Sequence, residues 1–529
     1  MRIRQKLAVI ALVTLPLYVL LAGALVVPVQ AQAPCGMVNG IGYPVDPAVF
    51  QIVQDFGAPS PRHGGRYHTG EDWYGGLDSY GQPVRAIAVG RVMYSWPLGW
   101  GRDGGVVILE HTFPDGSIAY SQYGHMEETE QYPFPGKFAC VQQGDVVGVV
   151  GNARPAPHVH FEIRVNQPDV PGPGYTWEDP TTLGWRRPSQ FVLNWQAWLH
   201  PAHRWHLTLL DEAGPISPPL LLPDYGMLYL DAYRLRGITP DGRILWRANF
   251  DKPAAGVTPF QDKVLVTFAD GTMQRVNLDG TLADSWETGV AVDSAPISIG
   301  SALVFHTPDE RIVVFDDSRR VVLWQIDGVP PIRYSRVAGR VIGLMTDANE
   351  LLTVSLQGQL IDRRPLQGLA GLETAPDGTL LVYSQDGLWT VSEEGTWTPM
   401  MENLPPGADS NAVLLTGDGT LYVLSGDAVA NISTLYAYDA NGQRWAVSLP
   451  YMPGLTELAD YGSAILLTGN HGHIIAIQPS SGGICGLARI YGSRRANVWH
   501  RLGDDGILRV AVADQVLGLD WQTFLGGCA

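Results

Sequence analysis

The chain is poor in charge. Only 16% of its 529 residues are Asp, Glu, Lys or Arg, and the cations are the scarcer sign, 35 against 52. The formal charge of −17 argues against nucleic-acid binding as the main task, because phosphate contacts need clustered Lys and Arg. Cysteine is nearly absent. The four present are never spaced C-x-x-C, which argues against a thiolate zinc site. Long helical patterns are missing too. What the chain has instead is turns, with 61 Gly and 39 Pro but no collagen period, on a 45% hydrophobic background that excludes wholesale disorder. Together these predict an all-β chain of many short strands.

One long apolar run exists, and it is at the start. Arg2, Arg4 and Lys6 precede Leu7–Val29, and Gln30-Ala31-Gln32-Ala33 follows. A basic head, an apolar stretch and a small-residue exit read as a secretory signal, residues 1–31, cleaved after Ala31. The run is also long enough to stay as an uncleaved anchor. Either way the rest is expected outside the cytoplasm, secreted or in the cell envelope, with no stable membrane insertion if the signal is cleaved. Losing three cations and no anion takes the charge from −17 to −20. In an oxidising compartment the four cysteines are expected to form two disulfides. Of three pairings, Cys35–Cys140 with Cys485–Cys528 keeps each bridge within one candidate domain.

Residues 51–165 are short alternating runs separated by Gly and Pro, such as GVVILEHTF (105–113) and HVHFEIRV (158–165), which read as strands. A Pro- and Trp-rich stretch, 166–203, reads as a connector. Beyond it a strand ending in a polar turn recurs eight times, from YRLRGITPDG (233–242) to QVLGLDWQ (515–522). The spacing is 37–40 residues except for one 47, where GDAVANIS (426–433) is inserted. A Trp follows several turns: Trp246, Trp286, Trp324, Trp397 and Trp445. This period is that of a β-propeller, with eight blades implied and seven as the alternative. The last copy has little chain after it, so WHLTLL (205–210) is expected to supply its outer strand.

Three fragments of the first half carry chemistry: Y-H-T-G-E-D (67–72), Y-G-H (123–125) and P-H-V-H-F-E (157–162). On a strand His158 and His160 project to one face. Two imidazoles and a carboxylate leave a fourth tetrahedral position open, the pattern of a catalytic zinc. His63, His111, His203, His206 and the His471-Gly-His473 pair read as bystanders.

At these residues the segment resembles the lysostaphin-type (LytM-like) zinc endopeptidases of bacterial peptidoglycan, which carry H-x-x-x-D, Y-x-H and H-x-H in this order. The resemblance implies zinc held by His68, Asp72 and His160, with His125 and His158 as the two unligated catalytic histidines. His158 would move the proton, and His125 would hold the water or the oxyanion, with exchange of the roles left open. Two positions depart from the family. GNARPAP (151–157) is short and proline-stiffened, and Glu71 stands where an apolar residue is usual, adding charge unless its side chain points away. The repeats resemble those of pyrroloquinoline-quinone-type (quinoprotein-like) propellers, yet no cofactor-stacking Trp, Ca²⁺ ligands and catalytic Asp assemble. The tryptophans therefore read as blade-packing anchors, and no quinone cofactor is expected. The expected organisation is a signal (1–31), a zinc peptidase domain (34–165), a connector (166–203) and a propeller (204–529). The expected function is a secreted zinc metalloendopeptidase cutting peptide stems or cross-bridges of peptidoglycan, its propeller binding a protein, a glycan or wall. The alternative is a non-catalytic envelope adaptor or regulator of wall hydrolases.

Overall fold

Alternation along the strands decides what each face of the first sheet carries. In a computed structural model, the structure describes residues 35–528 apart from 210–214, 223–225, 294, 300, 369, 406–407, 451, 453–454, 470–471, 491–495 and 527. The expected signal and His471 lie outside the described residues. In chain order the strands of the first half are β1 (Gln51–Gln54), β2 (Pro59–Ser60), β3 (Arg66–His68), β4 (Glu71–Tyr74), β5 (Pro83–Arg85), β6 (Gly90–Trp96) and β7 (Gly105–Thr112). They continue with β8 (Ile118–Glu127), β9 (Cys140–Val141), β10 (Val146–Val150), β11 (Val159–Arg164), β12 (Tyr175–Thr176) and β13 (Trp185–Arg186). Ten of them form one sheet with the path β1-β4-β11-β8-β7-β6-β9, and β12-β3-β2 form a small second sheet.

In the large sheet Glu71, Phe161 and Tyr123 stand opposite one another across β4, β11 and β8, and so do Asp72, His160 and Gly124. The two rows point to opposite faces because side chains alternate. Phe161, Tyr123, Val107, Leu109, Ile163 and Val159 are fully buried in the core. Each such apolar side chain contributes about 1.5–3 kcal/mol by leaving water. The opposite row faces the candidate site.

The stretch 166–203 corrects the connector reading, because its backbone is built into the first half. β12 pairs with β3 and β13 with β11. Its Pro and Gly content hides strands two residues long, whose partners rather than their composition fix them. A helix follows, α1 (Pro188–Trp198), opened by Pro at its first turn. Val192 and Trp195 enter the core of the first half, with Trp195 stacked on Phe113 at 4.1 Å. Ala197 and Ala202 join the core of the last propeller sheet, and Gln190 Nε2 donates to the Ile490 carbonyl (3.3 Å).

The second half is a β-propeller. Among the described residues it contains eight four-stranded antiparallel sheets, starting with strands 220–249. The last combines Val498–Leu502, Ile507–Val512 and Gln515–Asp520 with β14 (His203–Thr208), the outer strand expected from WHLTLL. Tryptophans of several outer strands cover a turn glycine of the following sheet. A methyl group at Gly280 would lie 2.5 Å from the Trp246 ring, and Gly358 and Gly482 are covered by Trp324 and Trp445 in the same way. Trp205 of β14 covers Gly242 of the first sheet, so the same contact joins the end of the ring to its beginning. Disulfides join Cys35 to Cys140 and Cys485 to Cys528. No helix among the described residues is long and apolar enough to cross a membrane.

Candidate metal centre and its supports

Asp72 and His160 sit opposite each other on β4 and β11, and His68 ends β3 beside them. His160 Nδ1 lies 2.9 Å from Asp72 Oδ1 and 3.0 Å from His68 Nε2, and His68 Nε2 lies 3.3 Å from Asp72 Oδ1. All three residues are buried. Three lone-pair-bearing atoms at these separations match the edges of a zinc tetrahedron, about 3.3 Å for zinc–ligand bonds near 2.0–2.1 Å. The far side of each ring is already committed. His68 Nδ1–H donates to the Asp55 carbonyl (3.2 Å), and His160 Nε2–H donates to Glu162 Oε1 (3.0 Å). That fixes the tautomers and turns one lone pair of each inward, so the residues fit a zinc ion.

Burial raises the Asp72 pKa, but hydrogen bonds and charge from His160 and His68 outweigh it and hold the carboxyl well below the usual carboxylate range. Burial disfavours the His160 cation, yet Asp72 and Glu162 on either side bring its pKa up to about 9. For Glu162 the burial effect is outweighed by His160, Arg164 and Thr69, which bring it to about 2.

The two other motif histidines stand at the same place. His158 Nε2 is 3.7 Å from Asp72 Oδ2, and the His125 and His158 ring centroids are 4.6 Å apart. Each is pinned through Nδ1–H to a backbone carbonyl, His158 to Ala156 (2.8 Å) and His125 to Asp103 (2.6 Å). His125 adopts a left-handed backbone, φ 59°, which is uncommon for a residue with a side chain. Burial, with His158 and His160 nearby, pushes its pKa down to about 3.

Glu71 does not reach this group. It belongs to the core-facing row and lies at the N-terminus of α1, accepting from the Ser189 hydroxyl (2.6 Å), the Ser189 N–H (3.2 Å) and Trp73 Nε1 (3.3 Å). A helix N-terminus favours a carboxylate, but burial dominates and raises its pKa to about 7.

Several supports escaped the sequence reading. Glu162 accepts from Thr69 Oγ1 (2.5 Å) and Trp185 Nε1 (3.0 Å) as well as from His160. Its signal was present, two residues beyond His160 on the same strand face. Trp100 packs 5.0 Å from His125 and 5.2 Å from His160, ring centre to ring centre. It fills the space left by Gly124, where a methyl group would lie 2.1 Å from its ring. The segment 170–175 closes around the same place. Gly172 accepts from Trp100 Nε1 (2.8 Å) and donates to Gln122 Oε1 (2.7 Å), Gly174 accepts from Thr69 N (3.0 Å), and Tyr175 stands 5.1 Å from His68.

The bystanders sit apart from this group or at its edge. His63 stacks on Tyr175 at 3.7 Å. His111 is buried, its Nδ1–H donating to the Val89 carbonyl (2.9 Å) and its Nε2 accepting from Ser121 Oγ (2.7 Å). Burial lowers its pKa from 6.5 to about 4. The unfolded chain therefore binds the extra proton first. Stability is expected to be full above pH 6.5 and to fall by on the order of 3 kcal/mol as the pH drops towards 4. Urea midpoints at pH 7 and pH 5 measure this. His111→Asn should show a smaller difference between the two pH values than the native chain, and an equal difference would refute the assignment.

Comparison with known proteins agrees with both halves. Residues 66–171 match peptidase family M23, and residues 232–370 match the repeat family described as outer membrane protein assembly factor BamB. No curated protein matches the chain. Among solved structures, BamB from Moraxella catarrhalis is similar at 15% identity, covering 60% of this chain and 99% of that one, with a TM-score of 0.46. The quinohemoprotein alcohol dehydrogenase from Comamonas testosteroni is similar at 10% identity, covering 60% and 76%, with a TM-score of 0.44. The chain thus carries a segment, 66–171, that matches peptidase family M23, and a repeat region, 232–370, that matches the BamB repeat family, on the β-propeller described above.

Proposed function

We propose that the protein is an exported zinc metalloendopeptidase that hydrolyses peptide bonds of bacterial peptidoglycan, with the propeller as its binding or scaffolding module. The observation that carries this reading is the convergence of five side chains. His68, Asp72 and His160 turn three donor atoms onto one point, His158 Nε2 lies 3.7 Å from Asp72 Oδ2, and the His125 ring stands 4.6 Å from that of His158. Zinc held by the three donors would supply Lewis acidity for an amide carbonyl and for water.

The remaining steps belong to the chain's own residues. His158 takes the proton of the attacking water at Nε2 and returns it to the leaving amine. Its cation would form 3.7 Å from the Asp72 carboxylate, which favours it. His125 spends its single N–H on Asp103, so in neutral form it has none left for an oxyanion. Of its two candidate roles, the geometry supports orienting water by accepting a hydrogen bond at Nε2. Trp100 and Tyr175 set aromatic rings beside His160 and His68.

Digestion of purified peptidoglycan tests the reading. The untreated protein should release new amino groups, a chelator should stop it, and added zinc should restore it. Release that continues unchanged in the chelator would contradict zinc dependence. Stoichiometric zinc with no release would favour the adaptor alternative.

A further inference from the structure

Trp100 packs against both kinds of histidine at the candidate centre. Its ring centre lies 5.0 Å from that of His125, a motif histidine outside the donor set, and 5.2 Å from that of His160, one of the three donors. The His125 and His160 centres are 6.2 Å apart, so the three rings form a compact triangle. Both indole contacts are edge-to-face, at 61° and 71°, an arrangement that aromatic rings prefer. The indole is half-buried, so part of it also faces solvent.

The chain holds this ring still in three ways. Gly124, opposite His160 on β8, has no side chain, and a methyl group there would lie 2.1 Å from the indole. Trp100 Nε1–H donates to the Gly172 carbonyl (2.8 Å). Gly172 is itself fitted closely, since a methyl group on it would lie 2.3 Å from Glu162 Oε2, which Trp185 Nε1–H holds (3.0 Å). The Trp100 N–H donates to the Gly104 carbonyl (3.0 Å) and its carbonyl accepts from the Asp103 N–H (3.1 Å), which closes the loop on itself. The same loop carries the Asp103 carbonyl that holds His125 Nδ1–H. A ring seated on a glycine, tied at its nitrogen and backed by a closed loop has little freedom to yield to a bulky neighbour.

We propose that Trp100 is a specificity-determining residue of the candidate peptidase, a fixed shelf that admits only Gly or Ala on one side of the bond to be cut. This rests on the peptidase reading. An amide bond held between the donor set and His125 lies beside the indole, so one of the two residues it joins meets the ring. A branched side chain at that residue would need the volume that the ring fills over Gly124.

Mass spectrometry of wall fragments identifies the bond that the zinc-loaded chain cuts, and two series of synthetic peptides then carry that bond. In each series the residue on one side varies through Gly, Ala, Val and Leu. In one series kcat/KM should fall by about 100-fold from Ala to Leu, within the range by which a pocket sorts apolar side chains by size. Trp100→Ala should bring that ratio below about 10-fold, and Trp100→Phe, which keeps a ring without the N–H, should retain most of it. Zinc content should be equal in the three chains. A native chain that takes Leu as well as Ala on both sides would overturn the role of Trp100 and leave the peptidase reading standing. So would a Trp100→Ala chain that keeps the native ratio or loses its zinc. A zinc-loaded native chain that releases no fragment would overturn the peptidase reading, and the role of Trp100 with it.

Discussion

Replacing His158 with alanine is expected to slow peptidoglycan hydrolysis by about 10²–10⁴-fold, the usual worth of a positioned general base. In free energy this is about 3–5 kcal/mol of transition-state stabilisation. Zinc content should not change, because His158 approaches Asp72 only at 3.7 Å and its Nδ1 is bound to Ala156. His125→Ala should fall in the same range, also with zinc retained. The measurement is a turnover rate on purified peptidoglycan beside metal analysis of the same sample. A His158→Ala protein that keeps zinc and full rate would remove the proton-transfer role. One that loses zinc would instead make His158 a ligand.

The second large effect is expected at Glu162. Its carboxylate accepts from His160, Thr69 and Trp185 at once and has the Arg164 guanidinium 3.9 Å away. Glutamine has one acceptor oxygen for three donors, and its amide places N–H groups against others. Zinc affinity of Glu162→Gln should therefore drop by about 10–100-fold, as for other partners of metal-binding histidines. Arg164 is buried, with Nε and Nη1 lacking a hydrogen-bond partner among the described residues. Leaving its charge without Glu162 should cost stability on the order of 3–5 kcal/mol. Competition against a zinc indicator and urea unfolding measure the two effects separately. Unchanged affinity in a folded Glu162→Gln chain would contradict the second-layer role.

Much of this site was legible because it is made of strands. The two-residue spacing of His158 and His160 places both on one face, and the cross-strand register sets Asp72 opposite His160. The same alternation disposes of Glu71, one residue from Asp72 and therefore on the other face. Glu162 obeyed that rule as well, but it followed Phe161 in a stretch that read as a plain strand. Trp100, Asp103 and Tyr175 were not legible, since loops and distant segments bring them in. The residue facing Tyr175 is His68, more than a hundred positions earlier. Pro and Gly content made 166–203 look like a linker, although short pairings build it into the sheet. In the propeller three of the recurring tryptophans, Trp246, Trp324 and Trp445, have a direct cause, a turn glycine of the next sheet beneath each.

The central claim is that this set of histidines and one aspartate cuts peptide bonds in the wall. Its most direct test is mass spectrometry of the fragments that the zinc-loaded protein releases from purified peptidoglycan. The account predicts fragments cleaved at amide bonds of the stems or cross-bridges, glycan strands intact, and none from His158→Ala at equal zinc content. Fragments cut within the glycan, or the same amide products from His158→Ala, would contradict it.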